Sequence, residues 1–80
     1  MTVRVLLFAS YADALGTPEL SLDVPAGARV RDVIDRVRTL AGSDALPPAP
    51  LVAVNAAYAR SDDAVAPGDE VAIIPPVAGG

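Results

Sequence analysis

A run of apolar and β-branched residues near the start of the chain predicts a strand at the centre of a sheet. Residues 3–9 read VRVLLFA, and a continuous apolar run of this length is typical of a strand covered on both faces. Side chains alternate along a strand. One face therefore carries Val3, Val5 and Leu7, and the other carries Arg4, Leu6 and Phe8. The segment that follows, residues 11–15, predicts a short turn or helix.

Three further segments carry the period-two alternation of half-buried strands. Residues 19–24 predict a second strand, antiparallel to the first. Residues 51–55 and 70–74 predict two more strands, and residues 56–60 can pair with the former. The first and last strands are the most apolar, so we expect them to lie side by side at the centre of the sheet.

One stretch with helical periodicity predicts a helix that begins at Arg29 and ends at Ala41. Its apolar residues recur at i, i+3, i+4, i+7, i+10 and i+11 and form an unbroken stripe: Val30, Val33, Ile34, Val37, Leu40 and Ala41. Gly42 is a natural C-terminal cap. Arg29 is a poor N-cap, for which Asp32 in the first turn compensates only in part.

The order of elements, β-β-α-β-(β)-β, predicts one α+β domain over residues 1–74 and an extended C-terminal tail over residues 75–80. Eighty residues leave room for a single core. One amphipathic helix covers only one face of a mixed four- or five-stranded sheet, so the other face stays at least partly open. A helix that joins the two halves of the sheet is what a ubiquitin-like β-grasp fold requires.

The composition removes most of the side-chain chemistry that enzymes use. The chain has no cysteine and no histidine, and all six basic residues are arginine. Thiolate and imidazole ligands are therefore missing, as is a lysine for covalent catalysis. The net charge of −4 argues against a nucleic-acid partner, and no apolar run reaches the roughly 18 residues that span a bilayer. We expect a soluble cytoplasmic protein without a membrane partner and without a bound cofactor.

Two acidic pairs are the remaining candidates for metal or acid–base chemistry. They are Asp62 with Asp63 and Asp69 with Glu70, and both lie in predicted turns. Aspartate is favoured in turns because its carboxylate accepts hydrogen bonds from nearby backbone N–H groups. We therefore predict local structural roles for both pairs and no metal site.

The C-terminal segment, PPVAGG, has the most distinctive pattern in the chain. Pro75 and Pro76 cannot continue a β-ladder and hold the chain extended, so six residues reach roughly 20 Å. Gly79 and Gly80 have no side chains, and a narrow channel in another protein can admit them. Once ATP has adenylated the Gly80 carboxylate, a sulfur donor can displace AMP and leave a thiocarboxylate. The sequence has no glycine-rich phosphate loop, so a partner enzyme must bind the ATP.

The end of the chain, GDEVAIIPPVAGG at residues 68–80, closely resembles that of the MoaD family, the small sulfur-carrier subunits of molybdopterin synthase. Similarity extends to VRVLLFA (residues 3–9), DVPAGARVRDVI (23–34) and VAVN (52–55), which resemble the first strand, the start of the helix and the third strand of that family. The resemblance covers essentially the whole chain. Pro-Pro-Val-x-Gly-Gly is its specific part, because related carriers such as the thiamin carrier usually lack the Pro-Pro.

The resemblance implies a subunit that donates sulfur and is not an enzyme by itself. An E1-like adenylyltransferase would activate Gly80, and a sulfurtransferase or cysteine desulfurase system would supply the sulfur. Gly79 and Gly80 would then enter the active site of the large synthase subunit, where the sulfur passes to cyclic pyranopterin monophosphate in molybdenum cofactor biosynthesis. The implied assembly is a heterotetramer with a large-subunit dimer at its centre.

The sheet face opposite the helix is the predicted docking surface. Exposed apolar patches mark partner surfaces. The resemblance implies that the family's docking surface lies on this face, and Ala72 is predicted to lie on it too. The alternative is that a surface loop or the segment around Tyr11 covers these side chains. The predicted partner-binding residues are Leu6, Phe8, Tyr58, Ile74, Pro75, Pro76, Val77 and Ala78.

Two other functions remain open. The chain can carry sulfur for another pathway, such as thiamin, tRNA thiolation or cysteine synthesis, or act as a ubiquitin-like protein modifier. It can also be a non-covalent ubiquitin-like adaptor, for which the C-terminus is irrelevant. The sequence departs from the family at Tyr11-Ala12-Asp13, where the family often has Leu-Arg-Glu. Any partner contact made by that arginine is therefore in question.

Overall fold

The computed structural model describes residues 1–42, 46 and 50–75, which form five strands and two helices. In chain order these elements are β1 (Thr2–Leu7), α1 (Ala9–Leu15), β2 (Glu19–Asp23), α2 (Val30–Ala41), β3 (Leu51–Val54), β4 (Ala57–Ala59) and β5 (Glu70–Ile74). The segment predicted as a short turn or helix is α1, and it starts two residues earlier than expected. Neither helix in the described ranges has the length and apolar character to cross a bilayer.

The five strands form one mixed sheet in the order β2-β1-β5-β3-β4. β1 and β5 run parallel, whereas β2 is antiparallel to β1, and β3 is antiparallel to both β4 and β5. The predicted pairing of the first and last strands at the sheet centre is therefore confirmed. With α2 crossing between the two halves of the sheet, the architecture is the predicted ubiquitin-like β-grasp.

An apolar core fills the space between the sheet and the two helices. On the sheet side Val3, Val5, Val71 and Ile73 are completely buried. On the helix side α2 contributes its buried stripe of Val30, Val33, Ile34 and Val37, and Tyr11 of α1 is also buried in this cluster. Removal of these apolar surfaces from water is the main force that holds the helices on this face.

Leu40 is an error in the predicted stripe, because its side chain is 61% exposed. At 3.6 residues per turn Leu40 lies roughly 80° around the helix from Val30. Ala41 lies nearly in line with Val30 and is half-buried against the core. The apolar stripe is therefore narrower at the end of α2 than the sequence pattern indicates.

The start of α2 also differs from the prediction, because Arg29 is the N-cap and Val30 is the first helical residue. The Arg29 backbone N–H donates to the Asp32 carboxylate at 2.8 Å. The next two N–H groups, of Val30 and Arg31, donate to carbonyls in the loop of residues 61–63 at 2.9 and 3.0 Å. These bonds satisfy donors that a helix start leaves without intrahelical partners. Tertiary contacts thus replace the missing cap side chain.

The β3–β4 hairpin turns through two residues in the left-handed region of backbone space. Asn55 and Ala56 have φ of 50° and 70°, as a two-residue type I′ turn requires. The Asn55 side chain is held in place, since its oxygen accepts the Glu70 N–H and its amide donates to Asp69, each at 3.0 Å. Ala56 has only a methyl group, which crowds its own backbone in this conformation.

We expect Ala56→Gly to stabilise the protein by about 0.5–1 kcal/mol, because glycine adopts the left-handed conformation without strain. The greater conformational entropy of glycine in the unfolded chain offsets only part of this gain. Urea denaturation measures the change. Ala57→Gly, one residue later in β4, is the matched control and should destabilise, because a strand position does not need glycine. A loss of stability in Ala56→Gly would contradict the assignment of strain.

Candidate partner-docking surface

The open face, defined here as the sheet face opposite the helices, has three rows set by the strand register, and Thr2 and Asp23 lie beyond the polar row. Successive rows lie about 7 Å apart, two residues along each strand. The polar row comprises Ser21, Arg4, Glu70 and Asn55. The middle row comprises Glu19, Leu6, Ala72, Ala53 and Tyr58, and the apolar row comprises Phe8, Ile74 and Leu51. The open face therefore changes from charged to apolar along the strands.

The middle and apolar rows contain the largest exposed apolar side chains of the sheet. Phe8 is 46% exposed, Leu51 is 50% exposed and Tyr58 is 76% exposed. A shallow hollow of about 430 Å³ lies among these rows, and its walls include Leu6, Phe8, Ala53, Ala56, Tyr58, Glu70, Ala72 and Ile74. Four predicted partner-binding residues, Leu6, Phe8, Tyr58 and Ile74, therefore lie on one surface.

Leu51, Ala53 and Ala56 belong to the same surface but were not among the predicted docking residues. The alternation of β3 places Leu51 and Ala53 on one side of that strand. Which side this is depends on the pairing of β3 with β5, where Leu51 lies opposite Ile74. The sequence alone does not specify that pairing. The alternation along β3 therefore groups Leu51 with Ala53 but does not show that they face the docking side of the sheet.

Tyr11 does not cover the open face. Its side chain is 4% exposed and packs in the core on the helix side of the sheet. The alternative in which the segment around Tyr11 shields Phe8 and its neighbours is therefore wrong. Residues 11–13, where the sequence departs from the family, lie in α1. In this stretch Ala12 is half-buried and Asp13 is exposed.

The C-terminal tail leaves the sheet at the apolar row. β5 ends at Ile74, and Pro75 is half-buried and is the last residue that the structure describes. Because β1 and β5 are parallel, their carboxyl ends lie at the same edge, which places Ile74 beside Phe8. The other predicted tail residues, Pro76, Val77, Ala78, Gly79 and Gly80, lie outside the described residues.

The two acidic pairs make local contacts of the kind predicted for turns. Asp63 accepts the Arg60 N–H at 2.8 Å, and Asp69 accepts the Ala66 N–H at 2.7 Å. The other member of each acidic pair forms an ion pair, Asp62 with Arg31 and Glu70 with Arg4. Within residues 1–42, 46 and 50–75 no group of three or more potential metal ligands comes together.

Comparison with known proteins shows to which family the chain belongs. Residues 5–80 match the ThiS family. The chain belongs to the ThiS family. It is 34% identical over 83 residues to the molybdopterin synthase sulfur carrier subunit of Chlamydomonas reinhardtii, with all of both chains covered. It is 33% identical over 79 residues to the protein of that name from Arabidopsis thaliana, which covers 98% of this chain and 82% of the relative.

A solved structure shows the same architecture. SAMP1, the small archaeal modifier protein 1 of Haloferax volcanii, superposes with a TM-score of 0.83 at 31% identity, and the superposition covers all of both chains. The sequence matches and this superposition confirm the family that the tail and strand motifs predicted. They also confirm the ubiquitin-like β-grasp fold.

We expect the pKa of Asp69 to lie below the ordinary aspartate value of 3.8, because the Ala66 backbone N–H and the Asn55 side-chain amide both bind the ionised carboxylate. Because the pKa of this carboxyl is lower in the folded state, its ionised form stabilises the fold at pH values above the pKa that it has in the unfolded chain. That contribution is lost as the pH falls through the folded pKa. NMR titration of the carboxyl carbon measures the pKa directly.

The matched variant for this titration is Asn55→Gly, which removes the amide and keeps a residue that tolerates the positive φ of this position. It should move the pKa of Asp69 back towards its ordinary value. An unchanged pKa in Asn55→Gly would show that the amide does not act on the carboxylate.

Proposed function

We propose that this chain is the sulfur-carrier subunit of molybdopterin synthase. One observation supports this function most directly, namely similarity along the whole chain to relatives of that name. The Pro-Pro-Val-x-Gly-Gly end of this chain is the motif that resembles the MoaD family. The geometry adds that the tail starts beside an exposed apolar surface. A partner that receives the tail is therefore in a position to contact Phe8 and Ile74 at the same time.

The proposed chemistry takes place on the carboxylate of Gly80. In an E1-like adenylyltransferase this carboxylate attacks the α-phosphate of ATP, and pyrophosphate leaves. The persulfide of a sulfurtransferase or cysteine desulfurase system then displaces AMP and forms an acyl disulfide. A thiol reductant cleaves the S–S bond, which leaves a thiocarboxylate on the chain and a disulfide between the donor and the reductant. The carrier itself holds no cofactor in this scheme, and the activating partner uses the ATP. Gly79 contributes a backbone without a side chain that fits a narrow channel.

Sulfur delivery is assigned to the large synthase subunit. The tail, residues 75–80, enters its active site and passes the sulfur to cyclic pyranopterin monophosphate. Docking buries the hollow on the open face, where Leu6 and Tyr58 supply apolar contact. Two carriers and a large-subunit dimer make up the proposed heterotetramer, which we place in the cytoplasm.

A second candidate is a ubiquitin-like protein modifier, and the superposition on SAMP1, whose full name is small archaeal modifier protein 1, supports it. A modifier uses the same activated Gly80 carboxylate but passes the acyl group to an amine of another protein. The two candidates therefore share the activation step and differ in the acceptor.

Activation predicts a specific product. Incubation with ATP, an E1-like enzyme and a sulfur source should convert the chain to a species with one oxygen replaced by sulfur, as intact-mass spectrometry detects. A variant with one alanine appended after Gly80 should give no such species, because the added residue changes the terminal group and its reach. Absence of the product from the native chain would contradict the carrier function. A non-covalent adaptor, by contrast, would keep its function in the extended variant.

The acceptor separates the two candidates. Addition of the large synthase subunit and cyclic pyranopterin monophosphate to the thiocarboxylate should yield molybdopterin. If the thiocarboxylate forms but the pterin is not converted, the modifier or a carrier for another pathway is favoured instead.

Phe8→Ser and Tyr58→Ser should each weaken binding to the large subunit by on the order of tenfold or more, because exposed aromatic side chains dominate the energetics of such surfaces. Isothermal titration calorimetry measures the affinity. Leu40→Ser is the matched control, since Leu40 is similarly exposed but lies on α2, away from the open face. Equal losses in all three variants would argue against docking on the open face.

A further inference from the structure

The charges of the open face are unevenly distributed. Arg4 is the one arginine on this face, and it shares the face with three carboxylates, those of Glu19, Asp23 and Glu70. Three negative charges therefore face one positive charge, which leaves these four groups with a net charge of −2. The other five arginines lie in or next to α2 and the loop packed against it: Arg29, Arg31, Arg36, Arg38 and Arg60. The chain thus presents an acidic open face and a helix side that carries most of its positive charge.

Two of these carboxylates share a single guanidinium group. Arg4 lies between them, with its Nε 3.0 Å from a Glu19 carboxylate oxygen and a terminal nitrogen 3.1 Å from a Glu70 carboxylate oxygen. Both carboxylate side chains are partly exposed, that of Glu19 to 51% and that of Glu70 to 39%. Ion pairs at this exposure add little to folding stability. Their charges remain accessible to a partner.

The position of these groups makes them the border of the apolar surface. Glu19 lies in the middle row beside Leu6, and Glu70 lies in the polar row and lines the hollow. A partner that covers the hollow therefore reaches both carboxylates at its edge. Protein interfaces commonly surround an apolar centre with a polar rim, and complementary charges at the rim raise association rates and fix orientation.

We propose that Glu19 and Glu70 form an acidic rim that pairs with an arginine or lysine of the protein that docks on the open face. The inference rests on the proposed function, in which that protein is the large synthase subunit. Arg4 positions both carboxylates and also partly neutralises them. The rim would orient the carrier with its apolar row, and hence its tail, towards the acceptor site.

The test measures association rate constants for the chain and the large subunit of the same organism by stopped-flow fluorescence at low and at physiological salt. The double variant Glu19→Gln/Glu70→Gln should associate on the order of fivefold more slowly at low salt and depend less on salt, because the attraction is lost. Arg4→Gln should associate faster at low salt, because it removes the one opposing positive charge. Asp35→Asn removes one negative charge from the exposed side of α2, away from the open face, and should leave the rate unchanged.

Opposite signs distinguish a rim from a merely structural ion pair. A structural role predicts that Arg4→Gln and the double glutamine variant weaken binding in the same direction, and that result would overturn the acidic rim. Rates equal to those of the native chain in both variants would overturn it too. If the native chain does not bind the large subunit at either salt concentration, the proposed function fails and the rim fails with it. If the native chain binds and the variants associate at the same rate, only the acidic rim is contradicted and the proposed function stands.

Discussion

The parallel pairing of β1 with β5 is the contact on which the rest of the structure depends. It brings together the two most apolar segments, from opposite ends of the chain, and their inward side chains, such as Val5 and Val71, are completely buried. Parallel strands end at the same edge of a sheet. The pairing therefore also sets Phe8 beside Ile74, where the tail begins. The same contact that closes the core thus places the proposed docking surface at the base of the tail.

Coverage of only one sheet face follows from the small size of the chain. The described residues supply two helices, and both pack on the same side, where Tyr11 joins the stripe of α2. The other face keeps Phe8, Leu51 and Tyr58 exposed, which leaves unfavourable apolar surface in water for the isolated domain. A partner that covers this surface removes that cost, and the charged groups along one border give such a partner a preferred orientation.

Sequence reasoning succeeded where a pattern is local and periodic. The strand segments, their inward faces and the stripe from Val30 to Val37 follow from alternation and helical spacing, because burial of one face imposes these periods. It failed at the boundaries. Arg29 caps α2 through contacts with a distant loop, and Leu40 is exposed because it lies off the stripe of α2 that faces the core. Neither outcome depends on residues adjacent in the chain.

The sequence by itself determined the segments of the fold, the alternation of β1 and β5, and the family, because periodicity and the PPVAGG end are properties of consecutive residues. Only the tertiary structure decided which side chains meet. The register opposite β5 brought Leu51 and Ala53 to the proposed docking surface, and pairing across three strands placed Arg4 between Glu19 and Glu70. Such contacts join residues up to 66 positions apart, and no local pattern in the chain specifies the register that sets these side chains opposite one another.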